Sequence, residues 1–301
     1  MNFKLYESLL IKSKELGFIK IGFTRPHRPL HFDYFLEWLK NHKNADMHWL
    51  NKYKDIRAAP AKIIKNCNTI ICLAYPYCCD IPATPEGICT ARYSEPTKED
   101  YHIRLKNLCN ELVKLILKYD PDAKNRICID SAPILERDLA YSAGIGFIGK
   151  NNMLIVPGIG SYIFLAEIFT SSYIPFPEQK PMLSQCGSCD KCVKACPTGA
   201  LIAAYNFDAR NCLSYLTIEY KGDLPYRIGD KMLPFFYGCD KCQSVCPFNP
   251  KDSNKYICLP SIKNILDMEE YEFKMFFGKT ALSRGGIFNI KRNLKALLNS
   301  I

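Results

Sequence analysis

The stretch CGSCDKCVKACP, Cys186 to Pro197, places four cysteines in eleven residues, spaced C-x2-C-x2-C-x3-C, with a proline after the last. Thiols set this densely are either cross-linked or bound to metal, and the compartment decides which. The N-terminal stretch MNFKLYESLLIKSKELG scatters lysine and glutamate throughout and offers no apolar signal-peptide core. No apolar run approaches the roughly 18 residues that span a bilayer. The expectation is a cytoplasmic chain with no membrane contact. There, sixteen cysteines in 301 residues hold metal rather than disulfides.

The spacing is that of bacterial ferredoxins. In them such a run holds a [4Fe-4S] cluster, and its fourth cysteine ligates the other cluster. A second run, GCDKCQSVCPFN, contributes Cys239, Cys242 and Cys246 before Pro247. Aligned on the first run it lacks one thiol, because Phe236 stands where the leading cysteine belongs. Cys212, alone between the runs, supplies it. The crossover then places one cluster on Cys186, Cys189, Cys192 and Cys246, and the other on Cys196, Cys212, Cys239 and Cys242. Zinc also uses C-x2-C pairs, usually as two pairs or with histidines, but no histidine follows His102 and both runs end in Cys-Pro. The remaining cysteines, among them Cys67, Cys72, Cys78, Cys79 and Cys128, lie mostly in apolar or irregular sequence and read as small core residues.

Two cubanes carry single electrons, and the part that holds them spans only about residues 180 to 250. The residues before it must use the electrons. They read as alternating helix and strand: a helix over 1–17, a strand at FIKIGF, a helix over 32–43, a strand at 68–76, a long helix over 98–118 and a strand at 126–130. MLIVP and SYIFLAEIFTS read as a hairpin around Gly158 and Gly160. The proline-bearing stretch IPFPEQKPM is the best domain boundary. The expected fold class is α+β, in three parts. Residues 1–178 form an α/β cofactor-binding catalytic domain, 179–258 a ferredoxin-like module with two [4Fe-4S] clusters, and 259–301 a short, basic helical end.

The formal charge is +10. Two oxidised clusters on eight thiolates would leave about +6. After Glu272 no acidic residue occurs, while Lys274, Lys279, Arg284, Lys291, Arg292 and Lys295 follow. A basic end suits a polyanion such as nucleic acid, although charge alone fits a solvated helix face at least as well.

Two motifs remain. Gly144, Gly146 and Gly149 spell G-x-G-x-x-G, but they follow a helical stretch and lead into a strand, the reverse of a dinucleotide site. Close approach of backbone to a large ligand is the better reading. In IDSAPILERDLA, Asp130 closes an apolar strand just before a helix that Ser131 or Pro133 could start. It reads equally as a helix cap and as a catalytic carboxylate facing a crevice. Glu136 and Asp138, inside the helix, read as surface.

The succession DSAPILERDLA, GIGFIGKN, CGSCDKCVKACPTGA and GCDKCQSVCPFN resembles the epoxyqueuosine reductases. The likeness extends over nearly the whole chain, through MHWLNKYKDIR, ARYSEPTKEDYH, CLSYLTIEYKG and TALSRGGIFNIKRN. It implies reduction of epoxyqueuosine to queuosine at the wobble position of tRNA, the last step of queuosine synthesis. It also implies a cobalamin held by the N-terminal part and reduced through the clusters. Asp130 matches the family's proton donor, for which a low-polarity pocket should raise its pKa. By position, Arg57, Tyr93, Asp130, Leu154, Leu165 and Ser214 become corrin neighbours, with no histidine ligand below the cobalt. Lys221, Lys291 and Arg292 become tRNA phosphate contacts. The implied partners are tRNA carrying epoxyqueuosine and an external donor of the flavodoxin or ferredoxin type, the protein acting as a monomer. Many members carry a helical-repeat domain after the TALSRGGIFNIKRN region, and this chain resembles the shorter ones. The other open classes are a small-molecule cobalamin reductase akin to reductive dehalogenases and a pure electron-transfer protein.

Overall fold

The computed structural model describes residues 3–251 and 255–300. Its central sheet runs Lys20–Thr24, Thr69–Pro76, Ile163–Thr170, Asn125–Cys128, every neighbouring pair antiparallel. The Thr69–Pro76 strand, TIICLAYP, is apolar without alternation because both its faces are covered. Ile71 and Leu73 point to one side, into a core built by the Lys4–Glu15 and Tyr101–Tyr119 helices. Ile70, Cys72 and Ala74 point to the other, against Leu139 and Ala140 of the Glu136–Ser142 helix. The order of helices and strands follows the sequence reading. The sheet is nevertheless antiparallel, so the chain is α+β.

The Tyr101–Tyr119 helix buries Tyr101, Leu105, Cys109, Leu112 and Ile116, one apolar stripe at helical spacing. It starts where it does because the Asp100 carboxylate accepts the His102 N–H at 2.9 Å. That cap fixes Tyr101 and His102 at the end of the helix nearest the strand that delivers Asp130.

A second sheet joins Phe235–Tyr237, Cys89–Thr90, Ile81–Ala83 and Tyr256–Cys258. It knits together stretches from before, within and after the cysteine runs. A separate core gathers Phe236, Tyr237 and Met232 with Ile262, Phe273, Leu282, Ile290 and Leu294. The basic end is thus packed against the cysteine-bearing part as the Ile262–Asp267, Glu270–Phe277 and Gly286–Leu298 helices. Among the described residues no helix is long and apolar enough to cross a membrane.

One local reading is corrected. The expected hairpin around Gly158 and Gly160 is a single bridge, Val156 to Gly160. Leu154–Ile155 pairs with Phe147–Ile148 instead, and Ile163–Thr170 joins the central sheet. At Gly146 the Gly144, Gly146, Gly149 loop brings backbone close to protein. A Cβ on Gly146 would stand 2.3 Å from the Ile155 carbonyl oxygen, so the glycine lets the short two-stranded ribbon close.

Candidate active site

The seven cysteines of the two runs, together with Cys212, fall into two groups in space. The Cys246 thiol feels Cys186 and Cys189, and Cys192 feels Cys186 and Cys246. The Cys242 thiol feels Cys239, Cys212 and Cys196. Cys186, Cys189, Cys192 and Cys246 together line one pocket with Lys150, Lys191 and Phe248. These are the groups that the crossover rule assigns, so Cys212 completes the second set and Cys246 leaves its own run for the first. Burial pushes the Cys239 thiol up to about 12 and raises Cys242 well above its ordinary value. Bare thiolates there would be costly, and iron binding supplies the compensating charge. Cys72, Cys109 and Cys128, outside the sets, are buried in the cores.

Tyr93 is the point where the second set meets the sheet. Cys212, Cys239 and Tyr93 all flank the C-terminal core, and Tyr93 also packs against the sheet's helical face. Gly238, beside Cys239, has φ +69°, and a Cβ there would lie 2.6 Å from Ala91 and 3.3 Å from the Tyr93 ring. Next to Tyr93, Arg92 is fully buried. Its N–H donates to the Asp240 carboxylate at 2.7 Å, and its guanidinium lies 3.5 Å from the same oxygen. Asp240 sits between Cys239 and Cys242, so one buried pair fixes Tyr93 against the cysteine run.

From Tyr93 the contacts lead to Asp130. The Tyr93 and Tyr101 rings meet edge to face at 6.5 Å. Tyr101 donates its hydroxyl to Asp130 Oδ2 at 3.1 Å. His102 Nε2 lies 3.3 Å from that oxygen and Arg284 Nη1 donates to it at 2.8 Å. Asp130 has φ +55°, a left-handed turn that Asp tolerates better than most residues. Its N–H donates to Glu136. It does not cap the following helix, which starts at Glu136 after Leu135. The cap reading fails, and the Asp130 side chain is 48% exposed.

The expected upward pKa shift of Asp130 is overturned. Burial does raise it, but hydrogen bonds from His102 and Arg284, with the Arg284 charge, outweigh burial and hold it well below the usual carboxylate range. The raised carboxyls are its neighbours. Burial and the Asp130 charge push Glu136 up to about 8. Glu167, opposite Cys72 and Cys128 in the sheet, is fully buried, with no hydrogen-bond partner for either oxygen. Burial pushes it well above its ordinary value. Asp138 is also buried rather than on the surface. It accepts the Leu30 and His31 N–H groups, each at 2.8 Å.

Other expected site residues divide among several places. Leu154 and Leu165 border one core together with Ile56, from the Lys54–Ala58 helix that carries Arg57. The Arg57 guanidinium is buried and its Nε has no partner; the side-chain nitrogens of Asn151 and Asn152 are likewise buried and unpartnered. Orphaned donors suit a ligand rich in amide carbonyls, as a corrin is. Ser214 lies in the Leu213–Ile218 helix, beside Cys212. Lys221 is exposed and donates to the Ile218 carbonyl at 3.2 Å. Arg292 is a correction. Its hydrogen bonds go to the carbonyls of Leu216, Tyr220 and Gly222 and to the Asn293 amide oxygen, so its fork is used inside the fold and is not open to phosphate. Lys291, next to it, is half-buried. Sequence reasoning missed Tyr101, His102, Arg284 and Glu167. The first three lie inside stretches that carry the family likeness. Nothing local marks Glu167.

A fold with two four-thiol sets, the deeper one flanking the core that Tyr93 also borders, defines an iron–sulfur oxidoreductase. The family model described as a 4Fe-4S double cluster binding domain matches residues 185–249. The one described as epoxyqueuosine reductase QueG, DUF1730, matches residues 57–131. An epoxyqueuosine reductase of Pseudomonas aeruginosa is 32% identical over 97% of this chain and 84% of its own length. One from Cellulophaga algicola is 31% identical over 99% of this chain and all of its own. The crystal structure of an epoxyqueuosine reductase with an epoxyqueuosine-modified tRNA-Tyr stem loop superposes with a TM-score of 0.85 at 31% identity, covering 99% of this chain and 82% of that one. The chain belongs to the epoxyqueuosine reductase family.

Proposed function

We propose that the chain reduces epoxyqueuosine in tRNA to queuosine. Turning an epoxide into an alkene consumes two electrons and two protons and releases water. When bound, the two [4Fe-4S] clusters supply single electrons and cobalamin a low-valent cobalt, a reductant no side chain can provide. Arg57, Asn151 and Asn152 would hold corrin amides with their free donors, and Leu154, Leu165, Tyr93 and Ser214 would be further corrin neighbours. Asp130 delivers a proton to the epoxide oxygen as the C–O bond breaks. Tyr101 and His102 orient that carboxyl.

The observation that carries this reading is Tyr93, which packs beside Gly238, the neighbour of Cys239, and meets the Tyr101 ring of the Asp130 cluster. Lys221 and Lys291 contribute to the tRNA grip. The more open thiol set, flanked by Lys150 and Lys191, suits an acidic electron donor of the flavodoxin or ferredoxin type. The protein works as a cytoplasmic monomer.

Purified protein reconstituted with iron, sulfide and cobalamin and then chemically reduced should convert an epoxyqueuosine-bearing stem-loop, read as the loss of one oxygen by mass spectrometry. Reduction of small organohalides with no action on the stem-loop would favour the small-molecule class instead.

A further inference from the structure

Asp130 is the acid this reaction needs, yet His102 and Arg284 both pair with it as a carboxylate. We propose that Arg284 is a tRNA phosphate ligand that gates Asp130: bound RNA draws the guanidinium away, and only then does Asp130 take up the proton it delivers. The inference rests on the tRNA reading above.

The geometry is that of a latch. Arg284 belongs to the Ala281–Gly285 turn, whose backbone is anchored where Tyr237 donates its hydroxyl to the Ala281 carbonyl at 2.9 Å. Its side chain is 42% exposed. Nη1 makes all of its contacts, to Asp130 at 2.8 Å, His102 Nε2 at 3.1 Å and Tyr101 at 3.4 Å. Among the described residues, Nε and Nη2 have no hydrogen-bond partner. That leaves part of a planar fork for a phosphate, which Arg binds in bidentate fashion. Arg292 differs on this point, since its fork is fully engaged. Arg284 also lies in the stretch after Glu272 that has no acidic residue, so a phosphate meets no like charge from it.

Removing Arg284 changes what faces Asp130. The groups left are Tyr101, His102 and Glu136, with the Arg137 charge further off. Tyr93 and Tyr237 stand behind them. His102 Nδ1 is 2.6 Å from Asp100. Its Nε2 cannot accept from Arg284 and donate to Asp130 at once. With Arg284 gone, Nε2 is left with Asp130 alone, and Asp100, His102 and Asp130 form a line. A solvent proton passes along it to the carboxylate. The acid then protonates the epoxide oxygen as the C–O bond breaks, while the electrons come from the established redox cofactors.

The test is calorimetric titration of the reconstituted holoprotein with an epoxyqueuosine-bearing anticodon stem-loop near neutral pH, in buffers of different ionisation heat. Comparison of the buffers gives protons taken up per complex. Wild type should take up a proton, and Asp130→Asn should take up none. Arg284→Gln should take up less than wild type and bind with a salt slope shallower by roughly one. Arg284→Lys, which keeps the charge without the fork, should retain uptake while binding more weakly. Cluster absorbance checks that each variant is loaded. Tight binding by wild type without uptake, or equal uptake in Arg284→Gln, overturns the gate and leaves the tRNA reading intact. A stem-loop that does not bind wild type removes both.

Discussion

Asp130→Asn separates a proton donor from a structural carboxylate because its costs to folding are small and can be bounded. Asn keeps the shape and enters the left-handed region as readily as Asp, so the φ of +55° adds no strain. The N–H bond to Glu136 is backbone and survives. What disappears is the charge pairing with Arg284, and both side chains are more than 40% exposed. Pairs screened to that degree contribute about 1 kcal/mol or less. Because the folded pKa is depressed, that contribution is present above the unfolded value of about 3.9 and fades as pH falls below it. The variant should therefore melt close to wild type at neutral pH and load both clusters. General acid catalysis contributes roughly 100-fold or more, about 2.7 kcal/mol of barrier. Single-turnover conversion of the epoxyqueuosine stem-loop by pre-reduced protein should fall by at least that factor. Near-normal conversion by a fully loaded Asp130→Asn protein would mean that the proton comes from elsewhere, with His102 or Tyr93 next in line.

Cys212→Ser should lose one cluster, with iron and sulfide falling from about eight to about four each per chain, although Cys212 lies in neither compact run; a colourless, zinc-loaded wild type would end the cluster reading. Lys291→Gln should make tRNA affinity less salt-dependent, by roughly one unit of slope if it meets one phosphate, whereas Arg292→Gln should act mainly by lowering the melting temperature, since its bonds are internal. For Glu167 the folded pKa is raised above the unfolded one, so its burial destabilises the protein increasingly as pH rises above about 4.3, by up to about 1.4 kcal/mol per pH unit. Glu167→Gln should flatten that decline in a melting-temperature series; an unchanged pH dependence would show that the acid is not neutral in the fold.

Much of the reaction apparatus is local and could be read from the chain. Cysteine spacing dictates cluster chemistry because a cubane needs four thiolates within a short reach, and neighbouring residues supply most of them. Even Cys212 and Cys246, which cross between runs, follow from counting thiols. The helices and strands of the sheet follow from apolar periodicity. Other features exist only in three dimensions. That Asp130 is no helix cap depends on where the next helix starts, and its ionisation depends on Arg284, 154 residues away. Charge alone left the basic end as a possible tRNA face; packing divided it, turning Arg292 inward while leaving Arg284 half open. Glu167 reads as one polar residue in an apolar strand, and only the closing of two strands and a helix over it makes it a buried acid. Local pattern sets which groups a segment carries, but a group's charge and reach are set by what the rest of the chain brings against it.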